Sequence, residues 1–502
     1  MRIAKLMILC VAAFFTTAIA KTYYVAVTGS DTNPGTIDLP FLTVPKAISS
    51  VAAGDTIYVR GGLYPIASTI NISKSGTGTA PYRLYAYPGE RPLLDFSSTA
   101  LGSRGISLSG KYWHVKGFDI KGAGDNGMIL SGSNNIVEWC SFSENRDTGL
   151  QISSGGSNNQ VINCDSYFNS DPGQGNADGF APKLDVGTGN YFYGCRSWQN
   201  SDDGWDGYMR GANDVSTTLE NCWVFANGYL KDGSPSVGNG NGFKMGGGDS
   251  GNVSNWAHNM MLKNCVAFMN RVKGFDQNNN AGSMTLINCS GYGNGTNYNI
   301  TRTLSPGKVL TLTNDVALGN YGSLGAFAVQ QTNSWMSPFV VTTGDFISID
   351  TSGVRGARKA DGSLPDISFL HLAQGSDLIN AGVDVGLPYK GSAPDLGAFE
   401  SDYPAGVSDW EEVITDFRLD QNYPNPFNPS TKIDFSVGQS GHVIVRVFNV
   451  LGSEVARPFD SRAEAGKRYR LSFDGARLSA GIYFCSLESS DAIVVRKMSL
   501  VK

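Results

Sequence analysis

The chain has 502 residues, enough for more than one domain and a large core. Glycine fills 62 positions, roughly 12% against a usual ~7%, and charged residues make up only 17%, a balance that suits a turn-rich all-β protein. The formal net charge of −5 leaves no basic footprint for nucleic acid, and the lysines gather into no membrane-binding run.

Residues 1–20 carry Arg2 and Lys5, then an apolar stretch, then Ala18-Ile19-Ala20 as a small-x-small cleavage site, which together read as a secretory signal. No later apolar run approaches the ~18 residues of a transmembrane helix, so export without a membrane span is expected. Residues 21–100, which include VPKAISSVAAGDTIYVRGGLY, read as an opening cap with one short helix.

Cys140, Cys164, Cys195, Cys222, Cys265 and Cys289 form an even set that invites a disulfide framework in an exported protein. Their surroundings argue otherwise. Phrases such as IVEWCSF, VINCDSY, LENCWVF, LKNCVAF and LINCSGY are strand-like, and successive cysteines of the six lie 24, 31, 27, 43 and 24 residues apart, so one structural unit repeats with insertions. The expectation is a column of small buried thiols inside a solenoid. Without a C-x-x-C pair, a zinc site is disfavoured.

A second repeat fixes the register. Glycine followed by a bulky apolar residue returns as NGM, TGL, DGF, DGW, NGF and KGF, and the interval from Cys140 to Gly149, Cys195 to Gly204 and Cys265 to Gly274 is nine residues each time. Coils of 22 to 25 residues with short strands and Asn-rich turns describe a right-handed parallel β-helix, expected over residues 21–405 with coils reaching about 393–401. Residues 406–417 read as a linker, and from 418 to 502 alternating strands such as HVIVRVFNV describe a small immunoglobulin-like β-sandwich.

Counted from each repeated glycine, the preceding residue is Thr148, Asp178, Asp203, Asn241 and Lys273, while the residue two after it is Gln151, Ala181, Asp206, Lys244 and Asp276. Neighbouring strands lie ~4.8 Å apart, close enough for Asp178 and Asp203 to share a Ca²⁺ through oxygens at ~2.4 Å, with Asp202 and Asp206 flanking. Solvated acids pointing apart are the competing structural explanation. Mg²⁺ fits less well because it keeps more water. The aromatic residues Phe180, Trp205, Phe243 and Phe275 are expected as an inward core stack.

The stretches NADGFAPK, GCRSWQNSDDGWDGY and GNGNGFKMGG resemble polysaccharide lyase family 9, the Pel9A-like pectate lyases, over roughly residues 110–300. The resemblance implies a calcium-dependent β-elimination on a polyuronate, homogalacturonan first and rhamnogalacturonan I as the alternative. It assigns Ca²⁺ to Asp178, Asp202, Asp203 and Asp206 and the base to Lys244. A free lysine has a pKa of ~10.4, so a drop of about 2 to 3 units, roughly 3 to 4 kcal/mol, is needed near neutrality. Proximity to a dication and partial burial both act that way, and an alkaline optimum is expected. Lys273, Arg271 and Lys183 are candidates for holding neighbouring uronates.

Two rivals are weighed on residues. A polygalacturonase-type hydrolase would add Gly-His-Gly to the partial likenesses NAD, SDD and RVK, yet none of His114, His258, His371 and His442 stands between glycines. A calcium-stiffened glycan-binding β-helix without activity would have no use for Lys244 beside its acids. At the end of the chain, LDQNYPNPFNPSTKIDFSV, VFNVLGSEV and AGIYFCSL resemble the type A sorting domain of the type IX secretion system, which implies that machinery as a partner and a secreted or cell-surface location reached through the periplasm.

Overall fold

Asparagine and glycine set the corners around which this chain winds. In a computed structural model, which describes residues 20–249, 252–403, 417–465 and 467–501, the residue before each of Cys140, Cys164, Cys222, Cys265 and Cys289 has a positive φ of 50° to 55°. Four of these five are asparagine, the side chain that best tolerates that conformation after glycine. Strand directions change there. The signal segment, apart from Ala20, and most of the linker lie outside the described residues.

Contacts divide the chain into residues 1–405 and 406–502. In the first unit every strand of a named sheet pairs in parallel with the equivalent strand of the next coil, giving one sheet of twelve strands and two of ten in a right-handed parallel β-helix. Cysteines occupy the corner between the first and second sheets, as in Ile136–Glu138, Cys140 and Ser141–Ser143. All are buried and free, each thiol donating to a carbonyl, so the thiol column stands in place of disulfides. The cap holds the expected short helix, Val44–Ser50, whose Thr43 side chain accepts from the Lys46 N–H.

At the next corner an amide ladder runs through Asn145, Asn169, Asn200, Asn227, Asn270 and Asn294, each Nδ2 donating to the Oδ1 of the next at 2.8 to 3.0 Å. The repeated glycines lie against it. A Cβ on Gly149 would fall 1.9 Å from Ser166 Oγ, and one on Gly179 would fall 2.0 Å from Ser197 Oγ, so no other residue fits. The bulky residue after each glycine turns inward, and Phe180, Trp205, Phe243, Phe275 and Tyr298 stack with centroids 4.7 to 5.3 Å apart. Full burial of such rings contributes about 1.5–3 kcal/mol each.

The coils end sooner than expected. The last stacked strand is Val329–Gln331, and much of residues 333–401 runs back over the outer face of the second sheet, packing Phe346, Val354, Phe369 and Leu372 on Trp198, Phe225 and Phe268. Arg196 and Arg358 both clasp Asp165 at 2.7 to 2.8 Å, and Arg196 also donates to the Val354 and Gly356 carbonyls, which pins this tail. Its short apolar phrases imitate coil strands in the sequence, but they cover an apolar outer face that coils would leave in water.

The second unit has antiparallel sheets of three and four strands around one core of Leu419, Phe435, Val445, Cys485 and Met498. This is the expected β-sandwich. No described helix is long and apolar enough to cross a membrane.

Candidate active site

The third sheet carries the acids on its outer face. Gly149 N–H donates to the Asp178 carbonyl at 3.0 Å, Gly179 N–H to Asp203 at 2.9 Å and Gly204 N–H to Asn241 at 2.9 Å, which puts Thr148, Asp178, Asp203 and Asn241 on successive rungs. In the neighbouring column Asp206 pairs with Lys244, and Lys244 with Asp276. Both columns stand where the glycine count places them.

Each acid of the first column secures the next rung. Asp203 N–H donates to Asp178 Oδ1 at 3.2 Å, and Asn241 N–H donates to Asp203 Oδ1 at 2.8 Å. The second oxygen of each is thereby turned to a common centre, where Asp178 Oδ2 meets Lys183 Nζ at 2.7 Å and Asp203 Oδ2 meets Lys244 Nζ at 3.0 Å. Ligand oxygens of Asp178, Asp202 and Asp203 lie within 4.8 Å of one another. Asp206 stands outside this trio, shared between Lys183 and Lys244 at 3.3 Å from each.

The electrostatics are unusual for a buried site. Burial, reinforced by the neighbouring acids, pushes the Asp178 carboxyl up to about 7 despite Lys183, and the Asp202 carboxyl up to about 9. Asp203 is also raised, mainly by burial. Burial acts the same way on Asp206, but Lys244 and Lys183 outweigh it and hold its carboxyl below the usual range. For Lys244, burial works in the expected direction, lowering its pKa. The summed attraction of Asp203, Asp206, Asp178 and Asp202 outweighs it and holds the amine well above its ordinary value.

These residues fit a hard dication. When all four carboxyls are ionised, two ammonium groups leave two negative charges that a dication would balance, and every donor is oxygen. Asp203 Oδ2 is buried without an aligned hydrogen bond despite its short approach to Lys244. Its ion pair with Lys244 leaves lone-pair capacity on that oxygen for a cation.

The remaining candidates divide. Lys183 is buried in the ion pairs just described, which makes it a counter-charge to Asp178 and Asp206. Lys273 sits in the acid column but bends to Asp276 at 2.9 Å, keeping part of its surface in solvent. Arg271 points under the loop 228–240 and donates to the Gly238 carbonyl. Phe180, Trp205, Phe243 and Phe275 are in the core and touch no ligand surface.

Three participants carry no sequence signal. Asn239 N–H donates to Asp202 Oδ1, and its Oδ1 accepts from Lys244 Nζ at 3.3 Å. Tyr208 N–H donates to Asp206 Oδ1 at 3.0 Å. His258, buried and held neutral with a pKa near 4 by burial, donates from Nδ1 to the Gly207 carbonyl and accepts at Nε2 from Thr217. Lys183, expected to hold a uronate, lies instead beside Asp206, because Ala181 and Lys183 alternate to the same side of the chain.

Known proteins resemble this chain over both of its units. Residues 23–315 match the family model described as Pel9A-like, right handed beta helix region, and residues 421–501 match the secretion system C-terminal sorting domain. Pectate lyase L of Dickeya chrysanthemi is 40% identical over 395 residues, covering 76% of this chain and 90% of its own length. The crystal structure of pectate lyase Pel9A superposes with a TM-score of 0.71 at 39% identity, over 77% of this chain and 97% of that one. A rhamnogalacturonan lyase structure gives 0.64 at 28% identity, over 71% and 97%.

Proposed function

Because the chain belongs to the Pel9A-like right-handed β-helix family, we infer that it is an exported pectate lyase in which Lys244 is the base and Asp178, Asp202, Asp203 and Asp206 hold calcium. The observation that carries this reading is one lysine placed 3.0 Å and 3.3 Å from two acids of a cluster that lacks two positive charges. The C-terminal sorting domain sends the chain through its secretion machinery to the outside.

Calcium, when bound, supplies charge that lowers the cost of developing negative charge on the substrate carboxylate. Lys244 Nζ then takes the proton from C5 of the uronate. The C5–H electron pair becomes the C4–C5 double bond, and the C4–O bond breaks with its pair leaving on oxygen. Water is not consumed. Lys244 is held protonated by four carboxylates, so its use as a base depends on their charge being balanced, which favours alkaline conditions. Lys183 keeps Asp178 and Asp206 in place from the other side.

Polygalacturonate is the first substrate, and the likeness to a rhamnogalacturonan lyase at 28% identity makes that mixed backbone the second. Purified protein freed of divalent ions should give no ultraviolet absorbance from an unsaturated uronide on polygalacturonate, and calcium should restore it. Equal product without calcium would remove the cation from the reading. Product only on rhamnogalacturonan would reassign the substrate.

A further inference from the structure

Residues 228–240 connect the strand Trp223–Phe225 of the second sheet to Phe243–Lys244 of the third, and they lie beside the acids as a strap. Its ends meet at a neck. A Cβ on Gly228 would fall 2.5 Å from the Cα of Gly240 and 2.9 Å from Nε of Arg271, and both glycines adopt positive φ, 80° and 71°. Only residues without a side chain let the two backbones cross so closely.

Arg271 underlies the neck. Its N–H donates to the Asn227 carbonyl at 3.0 Å, the next N–H, of Val272, donates to Gly240 at 2.9 Å, and its Nη2 donates to the Gly238 carbonyl. Its Nε is buried with no hydrogen-bond partner. A guanidinium turned into a loop in this way is committed to the loop. Gly238, in turn, packs tightly on the acid-bearing turn, because a Cβ there would lie 2.3 Å from the Ser201 carbonyl and 2.8 Å from the Asp202 Cα, leaving no room for a side chain.

The strap brings Asn239 to the reacting groups. Its N–H reaches Asp202 Oδ1, and its side-chain oxygen accepts from Lys244 Nζ. One residue therefore touches both an acid of the trio and the amine. A lysine on a four-carbon stem has several ways to settle among four carboxylates. A neutral acceptor to one side of them selects among these positions.

We propose that Arg271 and Asn239 are positioning residues for the elimination: Arg271 fixes the strap, and Asn239 sets where Lys244 stands relative to Asp202. This rests on Lys244 being the base. Displacement of a reacting group by about 1 Å costs on the order of 100-fold in rate, so small movements of the strap are enough to matter.

The test uses the full chain with Asn239→Ala, Arg271→Ala, Arg271→Lys and Lys244→Ala, assayed on polygalacturonate with calcium and titrated with calcium alone by calorimetry. Asn239→Ala and Arg271→Ala should lower kcat about 10- to 100-fold with KM within about twofold. They should also shift the pH profile of kcat, and Arg271→Lys should recover part of the loss. Asn239→Ala, on a surface loop, should unfold at the wild-type temperature, which separates positioning from stability. Wild-type kcat in Asn239→Ala, or a loss confined to KM, overturns the proposal. If Lys244→Ala is inactive while Asn239→Ala is normal, only this proposal fails. If Lys244→Ala turns over at the wild-type rate, the base assignment fails instead.

Discussion

Two buried polar stacks run along this β-helix, and they are built on opposite rules. The asparagine ladder from Asn145 to Asn294 is neutral, and each amide it passes on is accepted by the next coil. The acid cluster at Asp178, Asp202, Asp203 and Asp206 is charged and crowded, and it leaves Asp203 Oδ2 without an aligned donor. A self-satisfied network adds stability and has nothing left to offer a ligand. An incompletely satisfied one costs stability and is therefore informative about what it receives.

The contrast can be broken most strongly at the amine. Lys244→Ala should lower kcat by about 10² to 10⁴, the range of general-base catalysis, while leaving the circular dichroism of the β-helix unchanged; turnover by continuous absorbance decides it. Next, Asp203→Asn should lower calcium affinity by about 100-fold or more, measured by calorimetry. In calcium-free buffer the same variant should unfold no sooner than wild type, because it removes a crowded charge. In the ladder the signs reverse. Asn145→Ala strips the acceptor from the Ala123 N–H and a donor from Asn169, and should cost about 2–3 kcal/mol in denaturant melts with kcat unchanged.

Acidity separates the two stacks as well. Asp178 and Asp202 titrate in the fold at about 7 and about 9 in the absence of a cation, above their unfolded values near 4. Groups with raised pKa contribute stability that is present at low pH and lost as pH rises through the folded values. The chelated protein should therefore melt at falling temperature from about pH 4 to about pH 9, and calcium should remove that slope. The amide ladder has no titrating group and gives none. The smallest effect is expected at Lys273, which is partly exposed and paired with Asp276. Lys273→Ala should raise KM for polygalacturonate a few-fold, the ~0.5–1 kcal/mol of a screened charge, with kcat intact.

Much of this was legible because a solenoid repeats its own geometry. Cysteine to glycine in nine residues fixed one corner, and glycine fixed the next, so Asp178 above Asp203 and Asp206 beside Lys244 followed by counting. The early end of the coils was not legible. The apolar phrases of residues 333–401 satisfy the outer face of the second sheet as well as they would satisfy a core, and local pattern cannot tell the two apart. The contacts of Arg271 and Lys183 with the strap and with Asp178 were not legible for a related reason, since a cation near acids in sequence can face either the substrate or its own neighbours.

By itself, the sequence determined the coil, its register and the identity of the charged columns, because a period-two strand stacked every ~4.8 Å leaves few choices for which side chains are adjacent. Tertiary structure alone decided where the long insertions go. The strap at 228–240 brings Asn239 onto Asp202 and Lys244 through contacts that no repeat encodes. Loop closure is set by the neck at Gly228 and Gly240 and by the arginine beneath it, so the position of the amine depends on residues outside its own column.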